Sequence, residues 1–142
     1  MKRVHDNITN QTIIVKDLRR GRMELLAGRL NLLSGTDKLL MTMYIQHGNS
    51  IRQIARIRGV SETSVARRIR AISKRLANGP YIDCLRCRGK LTSRQLAIAK
   101  DYYLMGLSIR RIAAKRHCSY YRVRDVLNEI KSIVNESQRR TG

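Results

Sequence analysis

The chain has 142 residues, with thirty Lys and Arg against ten Asp and Glu, for a formal charge of +20. Solubility needs far less, and the natural counterpart of so basic a surface is a polyanion. No run approaches the ~20 apolar residues of a membrane-spanning helix, no signal peptide or lipidation motif opens the chain, and six Tyr with no Phe or Trp offer few stacking platforms for single-stranded bases, which favours a duplex.

Residues 1–12 are polar and aperiodic, with Lys2 and Arg3. They read as a frayed arm, the sharper alternative being an arm that tracks phosphates or a minor groove. Ile13, Ile14 and Val15 open an apolar run, and Met23, Leu26, Leu30 and Leu33 continue it as a helical stripe, so a helix is expected over 15–33. Gly21 and Gly28 weaken it by about 1 kcal/mol each relative to Ala. Its plain role is to cover a core; its sharper one is a homodimer or partner surface.

Ser34-Gly35-Thr36-Asp37 breaks that pattern, and a second helix is expected over 38–47 with Leu40 and Tyr44 inward. His47 reads as a turn residue rather than a ligand. Ser50 then opens SIRQIARIRGVSETSVARRIRAISKRL. Ile51, Ile54 and Ala55 share one face of a short helix, and Gly59 follows where a sharp turn wants a positive φ. Val60 is expected to plug the gap between helices, and Ser61 to cap the next one. Val65, Ile69, Ile72 and Leu76 form its apolar stripe, and its other faces carry Glu62, Arg67, Arg68, Arg70, Lys74 and Arg75.

Residues 77–90 hold Asn78-Gly79-Pro80, with the one proline of the chain, and read as a linker or bent connection. Cys84 and Cys87 lie there as C-L-R-C. Half a zinc site has that spacing, yet four ligands are normally required and no second pair exists, so reduced thiols are expected, with no metal and no cofactor. A further helix is expected to about Met105, a bracing helix over 109–116, and a long helix capped by Ser119 whose inward face is Val123, Leu127, Ile130 and Val134. Residues 136–142 read as a frayed polar tail.

The chain states this pattern twice. Sliding the sequence by 58 residues lays Ser50, Ile51, Arg52, Ile54, Ala55, Arg58, Ser61, Val65 and Ile72 on identical Ser108, Ile109, Arg110, Ile112, Ala113, Arg116, Ser119, Val123 and Ile130 without a gap, and pairs Tyr44 with Tyr102 and Gly48 with Gly106. Two copies are too few for a solenoid, and each has the makings of a three-helix core. The expected fold is all-α: an N-terminal arm and helix (1–33), a first helix-turn-helix domain (34–76), the linker (77–90), a second such domain (91–135) and the tail (136–142).

In SIRQIARIRGVSETSVARRI and SIRRIAAKRHCSYYRVRDVL, both copies resemble the helix-turn-helix units of region 4 of bacterial sigma-70-type factors and of DNA-inverting recombinases, over about 45 residues each. Two departures stand out. Arg58 and Arg116 occupy a position usually apolar, and His117 replaces the usual turn Gly, so a wider or strained second turn is expected. The resemblance implies that the second helix of each unit enters a major groove while the first braces the backbone. By motif correspondence the groove-facing residues are Ser61, Glu62, Thr63, Ser64, Arg67 and Arg70, with Arg68 at the flank, and Ser119, Tyr120, Tyr121, Arg122, Arg124, Asp125 and Asn128. Arg, Glu, Asn and Thr are side chains that read base edges. Arg52, Arg56, Arg110 and Arg111 suit phosphates.

The leading expectation is a transcription regulator reading a bipartite site in double-stranded DNA with two unlike heads, located in the cytoplasm at the nucleoid. The rivals are an adaptor contacting RNA polymerase as sigma region 4 does, and an architectural protein indifferent to sequence. No constellation of nucleophile, base or metal ligands points to an enzyme.

Overall fold

The computed structural model describes residues 19–141, and the regular structure among them is entirely helical. The expected arm (1–12) and the start of the first helix lie outside the described residues. α1 runs through residues 19–28 and gives way to a 3-10 turn, Leu30–Leu32. The helix expected over 15–33 is thus broken near Gly28, a weak helix former, and the Arg29 N–H bonds to the Leu26 carbonyl at 3.1 Å. There follow α2 (Gly35–Ile45), α3 (Ile51–Arg58), α4 (Glu62–Asn78), α5 (Pro80–Arg86), a 3-10 turn (Arg88–Lys90), α6 (Ser93–Ala99) continuing into a π-helical turn (Lys100–Leu104), α7 (Ile109–Arg116) and α8 (Tyr120–Thr141).

The 58-residue repeat is written into the backbone. α3 and α7 start at Ile51 and Ile109 and end at Arg58 and Arg116, and α4 and α8 start at Glu62 and Tyr120. The caps correspond too. Ser50 and Ser108 hold φ −71°, ψ 159° and φ −68°, ψ 158°, and their hydroxyls accept the Gln53 and Arg111 N–H groups at 3.1 and 3.2 Å. Gln53 returns a bond to the Ser50 N–H, completing a capping box, which Arg111 has no acceptor to do.

By its contacts the chain divides into two compact units, one ending at Ala66 and the other beginning at Arg67, so the division falls inside α4 rather than at the expected 76/77 boundary. In the first unit Leu26, Leu30, Leu33, Leu40, Met41, Ile54, Ala55 and Val65 are buried, with α2 packed on α3 and on the Leu30–Leu32 turn. Tyr44, expected inward, is only half-buried. In the second unit α8 packs along α6 and α7, over a core that includes Ile98, Leu104, Ile112, Val123, Leu127 and Ile130. Val126 is also buried, whereas Val134 is half-buried.

The segment expected as a linker contains α5. Pro80 at its first position is pre-set for a helix, and Tyr81, Ile82 and Cys84 are buried. α5 packs on α6, α8 and the π-helical turn, so it belongs to the second unit's core. The chain break read from Asn-Gly-Pro is confined to Gly79, where a Cβ would lie 2.5 Å from the Arg75 carbonyl oxygen. The expected frayed tail is likewise helical through Thr141. Nothing in Glu136-Ser137-Gln138-Arg139-Arg140 breaks a helix, and Arg140 pairs with Glu136 at 3.1 Å across one turn.

Candidate nucleic-acid interface

The turn between α7 and α8 follows from three residues. His117 adopts φ 55°, ψ 46°, the left-handed conformation that closes a helix C-terminus. The Cys118 N–H then reaches the Ala113 carbonyl at 3.0 Å and the His117 N–H the Ala114 carbonyl at 3.4 Å, the paired closure of a Schellman motif. Ser119 restarts the chain, its hydroxyl accepting the Arg122 N–H at 3.1 Å. The first copy closes alike: Gly59 has φ 67°, the Val60 N–H reaches the Ala55 carbonyl at 3.0 Å, and Ser61 accepts the Ser64 N–H at 3.1 Å. The second turn is therefore no wider than the first. Its strain is confined to His117, the one non-glycine with positive φ among the described residues. The plugging role expected of Val60 fails, because this closure leaves its side chain 48% exposed.

A buried carboxylate fixes the far end of α7. Asp101, 1% exposed on the π-helical turn, accepts from Lys115 Nζ at 2.8 Å and Arg116 Nε at 2.9 Å. The charge of Arg116 is thereby neutralised by an acid inside the unit, whereas its counterpart Arg58 is exposed, with Met43 in the place of Asp101. Neither Asp101 nor Lys115 stands among the residues singled out from the sequence. The signal was present in the repeat, where Met43 and Ile57 of the first copy become Asp101 and Lys115 in the second, two apolar positions turned together into opposite charges.

All eighteen residues expected at the interface are exposed. On α3, Arg52 Nε lies 3.8 Å from Glu62 Oε1, which joins a residue expected on phosphate to one expected at a base edge; Arg56 is exposed beside it. The Ser61 hydroxyl caps α4 and also donates to Ser64 Oγ at 2.9 Å, so these two hydroxyls serve the helix start, with Thr63 exposed between them. Arg67, Arg68 and Arg70 lie exposed farther along α4.

In the second unit Arg110 and Arg111 are exposed on α7. On α8 the buried set Val123, Val126, Leu127 and Ile130 turns Tyr120, Tyr121, Arg124, Asp125 and Asn128 outward. Tyr120 and Tyr121 are 42% and 64% exposed and meet edge to face, centroids 5.6 Å apart. The Arg124 guanidinium sits 5.1 Å from the Tyr121 ring centroid, and Arg124 Nη2 lies 3.6 Å from Asp125 Oδ1. Arg122 is exposed on the same turn, and Ser119 is held by its capping bond. Arg110 joins the two tyrosines around an open cleft of about 370 Å³.

Cys84 and Cys87 lie on and just after α5, apart from these residues, while Cys118 sits in the turn before Ser119. Cys84, Cys87 and Cys118 are free, and the Cys87 thiol donates to the Asp83 carbonyl at 3.5 Å. Burial, and then the neighbouring Cys87 and Asp83, push the Cys84 thiol up to about 11. Among the described residues no group of three or more His, Cys, Asp or Glu is arranged to hold a metal ion, and no helix is long and apolar enough to cross a membrane. No family model, curated protein or solved structure matches the chain.

Proposed function

We propose that the chain is a sequence-specific binder of double-stranded DNA that regulates transcription through two helix-turn-helix heads, with α4 and α8 as the helices that enter the groove. The observation that carries this reading is the paired turn. Two helix pairs share caps, left-handed closure and register, and each sets an exposed helix start of arginine and polar or aromatic side chains beside a basic bracing helix. A helix so presented fits a major groove, and the charge of +20 supplies the counterion-release affinity for phosphate. Arg67 and Arg124 are the residues for guanine edges, and Arg110, Arg111 and Arg56 those for phosphates. The two heads carry unlike faces, so a bipartite site with different preferences in its halves is expected, and on this reading the protein resides at the nucleoid.

Selection from random duplexes tests the proposal. Enrichment of a defined site, with Arg124→Ala relaxing one set of positions by about 1–3 kcal/mol and Arg111→Ala weakening all sequences alike, is the expected result. Equal affinity for every duplex would mark an architectural protein. Capture of RNA polymerase by the chain in the absence of DNA would mark an adaptor of the sigma region 4 kind.

A further inference from the structure

The two heads differ most where they are most exposed. In the first, Glu62 and Thr63 open α4, and Glu62 draws Arg52 into an ion pair at 3.8 Å. The same positions of the second are Tyr120 and Tyr121, and the counterpart of Arg52 is Arg110. The substitution exchanges a carboxylate for a ring, and the cleft lined by Arg110, Tyr120 and Tyr121 contains no acid to neutralise the guanidinium. What remains is an open cleft of about 370 Å³ edged by two phenol rings and one cation.

The chemistry of this cleft is not that of base-edge reading. A paired base offers a groove only its edge, which amides, guanidinium groups and carboxylates read; its faces are covered by its neighbours in the stack. Phenol rings serve a base whose face is free. A π-face stacks on any base, and arginine adds a cation–π contact and a phosphate partner. Two large rings, 42% and 64% exposed, stand ready for that contact, with Tyr121 already braced on its own helix by Arg124 at 5.1 Å.

We infer that this cleft binds an unpaired deoxynucleotide, its base stacked on Tyr120, with the Tyr121 ring standing across it, and its phosphate held by Arg110, so that the second head prefers bulged or locally melted DNA. The inference rests on the DNA-binding reading above and narrows it for one head.

The test compares a selected duplex with the same duplex carrying one unpaired 2-aminopurine in the half bound by the second head. The unpaired site should bind roughly tenfold tighter, the effect of one base–aromatic stack, with quenched 2-aminopurine fluorescence. Tyr120→Ala should bring the ratio of the two affinities to about one, whereas Tyr120→Phe, which keeps the ring, should preserve it; melting curves of both variants establish that they are folded. Sequence-specific binding with equal affinity for both DNAs would overturn the inference and leave the proposed function standing. Binding only to single-stranded DNA would support the inference and overturn duplex reading. Failure to bind any DNA would overturn both, and tighter binding to an RNA of the same bulged sequence would overturn the assignment to DNA.

Discussion

Replacing Asp101 by Asn removes one charge without changing the shape of the side chain, and the geometry gives the expected loss. The carboxylate is 1% exposed and holds Lys115 at 2.8 Å and Arg116 at 2.9 Å. A buried charge-assisted hydrogen bond contributes ~1.5–3 kcal/mol. Two such bonds would place the loss near the ~3–5 kcal/mol of a broken buried pair. The partners are not buried, however: the Lys115 and Arg116 side chains are 45% and 34% exposed, so water screens the pairs and still solvates the cations once the acid is gone. The amide can accept from one partner, but its NH₂ then faces the other. About 2 kcal/mol is the expected loss, which for a unit of this size is a fall in Tm of roughly 10 °C. Circular dichroism melts at neutral pH read it directly. Asp125→Asn is the comparison, since Asp125 is 62% exposed and should shift stability by no more than about 0.5 kcal/mol. If Asp101→Asn melts within about 3 °C of the parent, a shift worth only ~0.5 kcal/mol, the carboxylate does not hold α7 in place.

The two turns make opposite predictions: Gly59→Ala, with open space around the new methyl, should destabilise by about 1–2 kcal/mol from backbone strain alone, while His117→Gly should stabilise by up to about 1 kcal/mol after allowing for glycine's larger unfolded-state entropy; urea midpoints decide both. Burial raises Cys84 to about 11 and also raises Tyr81 and Tyr103, so the folded state favours their neutral forms. The Cys84 contribution is complete below about pH 9, the ordinary thiol range, and is lost as pH climbs through about 11, and the two raised tyrosines add a loss of the same sign in alkali. Unfolding midpoints should fall over that window, and by less in Cys84→Ala. Affinity for DNA should drop about 10³-fold or more between 50 and 200 mM salt if six or more phosphates are neutralised, whereas a flat response in a filter-binding titration would contradict the electrostatic part of the proposal.

The backbone logic was legible because it is local. Gly59, Ser61 and Ser119 each decide a cap or closure within a few residues of themselves, and helix starts at Glu62 and Tyr120 follow, while Ser50 and Ser108, met in the sequence only as a repeat identity, prove to cap α3 and α7 in the same way. The exposed residues were legible for the complementary reason: an apolar stripe at helical spacing fixes which faces remain in water. What escaped depended on partners remote in sequence. Residues 77–90 read as a linker or bent connection because Asn78-Gly79-Pro80 marks a break; Pro80 and the apolar Tyr81-Ile82 pair suggest that it packs, as it does, but that it forms a helix belonging to a core rests on partners in α6 and α8. Asp101 looks like any acid on a helix until Lys115 and Arg116 arrive from α7. Val60 was misjudged for a geometric reason, since hydrophobicity marked it as a plug and the left-handed Gly59 turned it outward.

The duplicated backbone also explains how the two copies could diverge without losing their shape. Caps and closure need only a hydroxyl at 50, 61, 108 and 119 and a left-handed residue at 59 and 117, so the remaining exposed positions are released from structural duty. In the first copy that freedom holds an acid paired with the bracing arginine, and in the second a pair of rings beside an arginine. The second copy also carries the Asp101 anchor, which the first lacks. The buried carboxylate grips the last two residues of α7, directly before the left-handed His117 that turns the chain into α8. The anchor and the aromatic cleft therefore share one element, since the carboxylate that holds the end of α7 also holds the helix that carries Arg110.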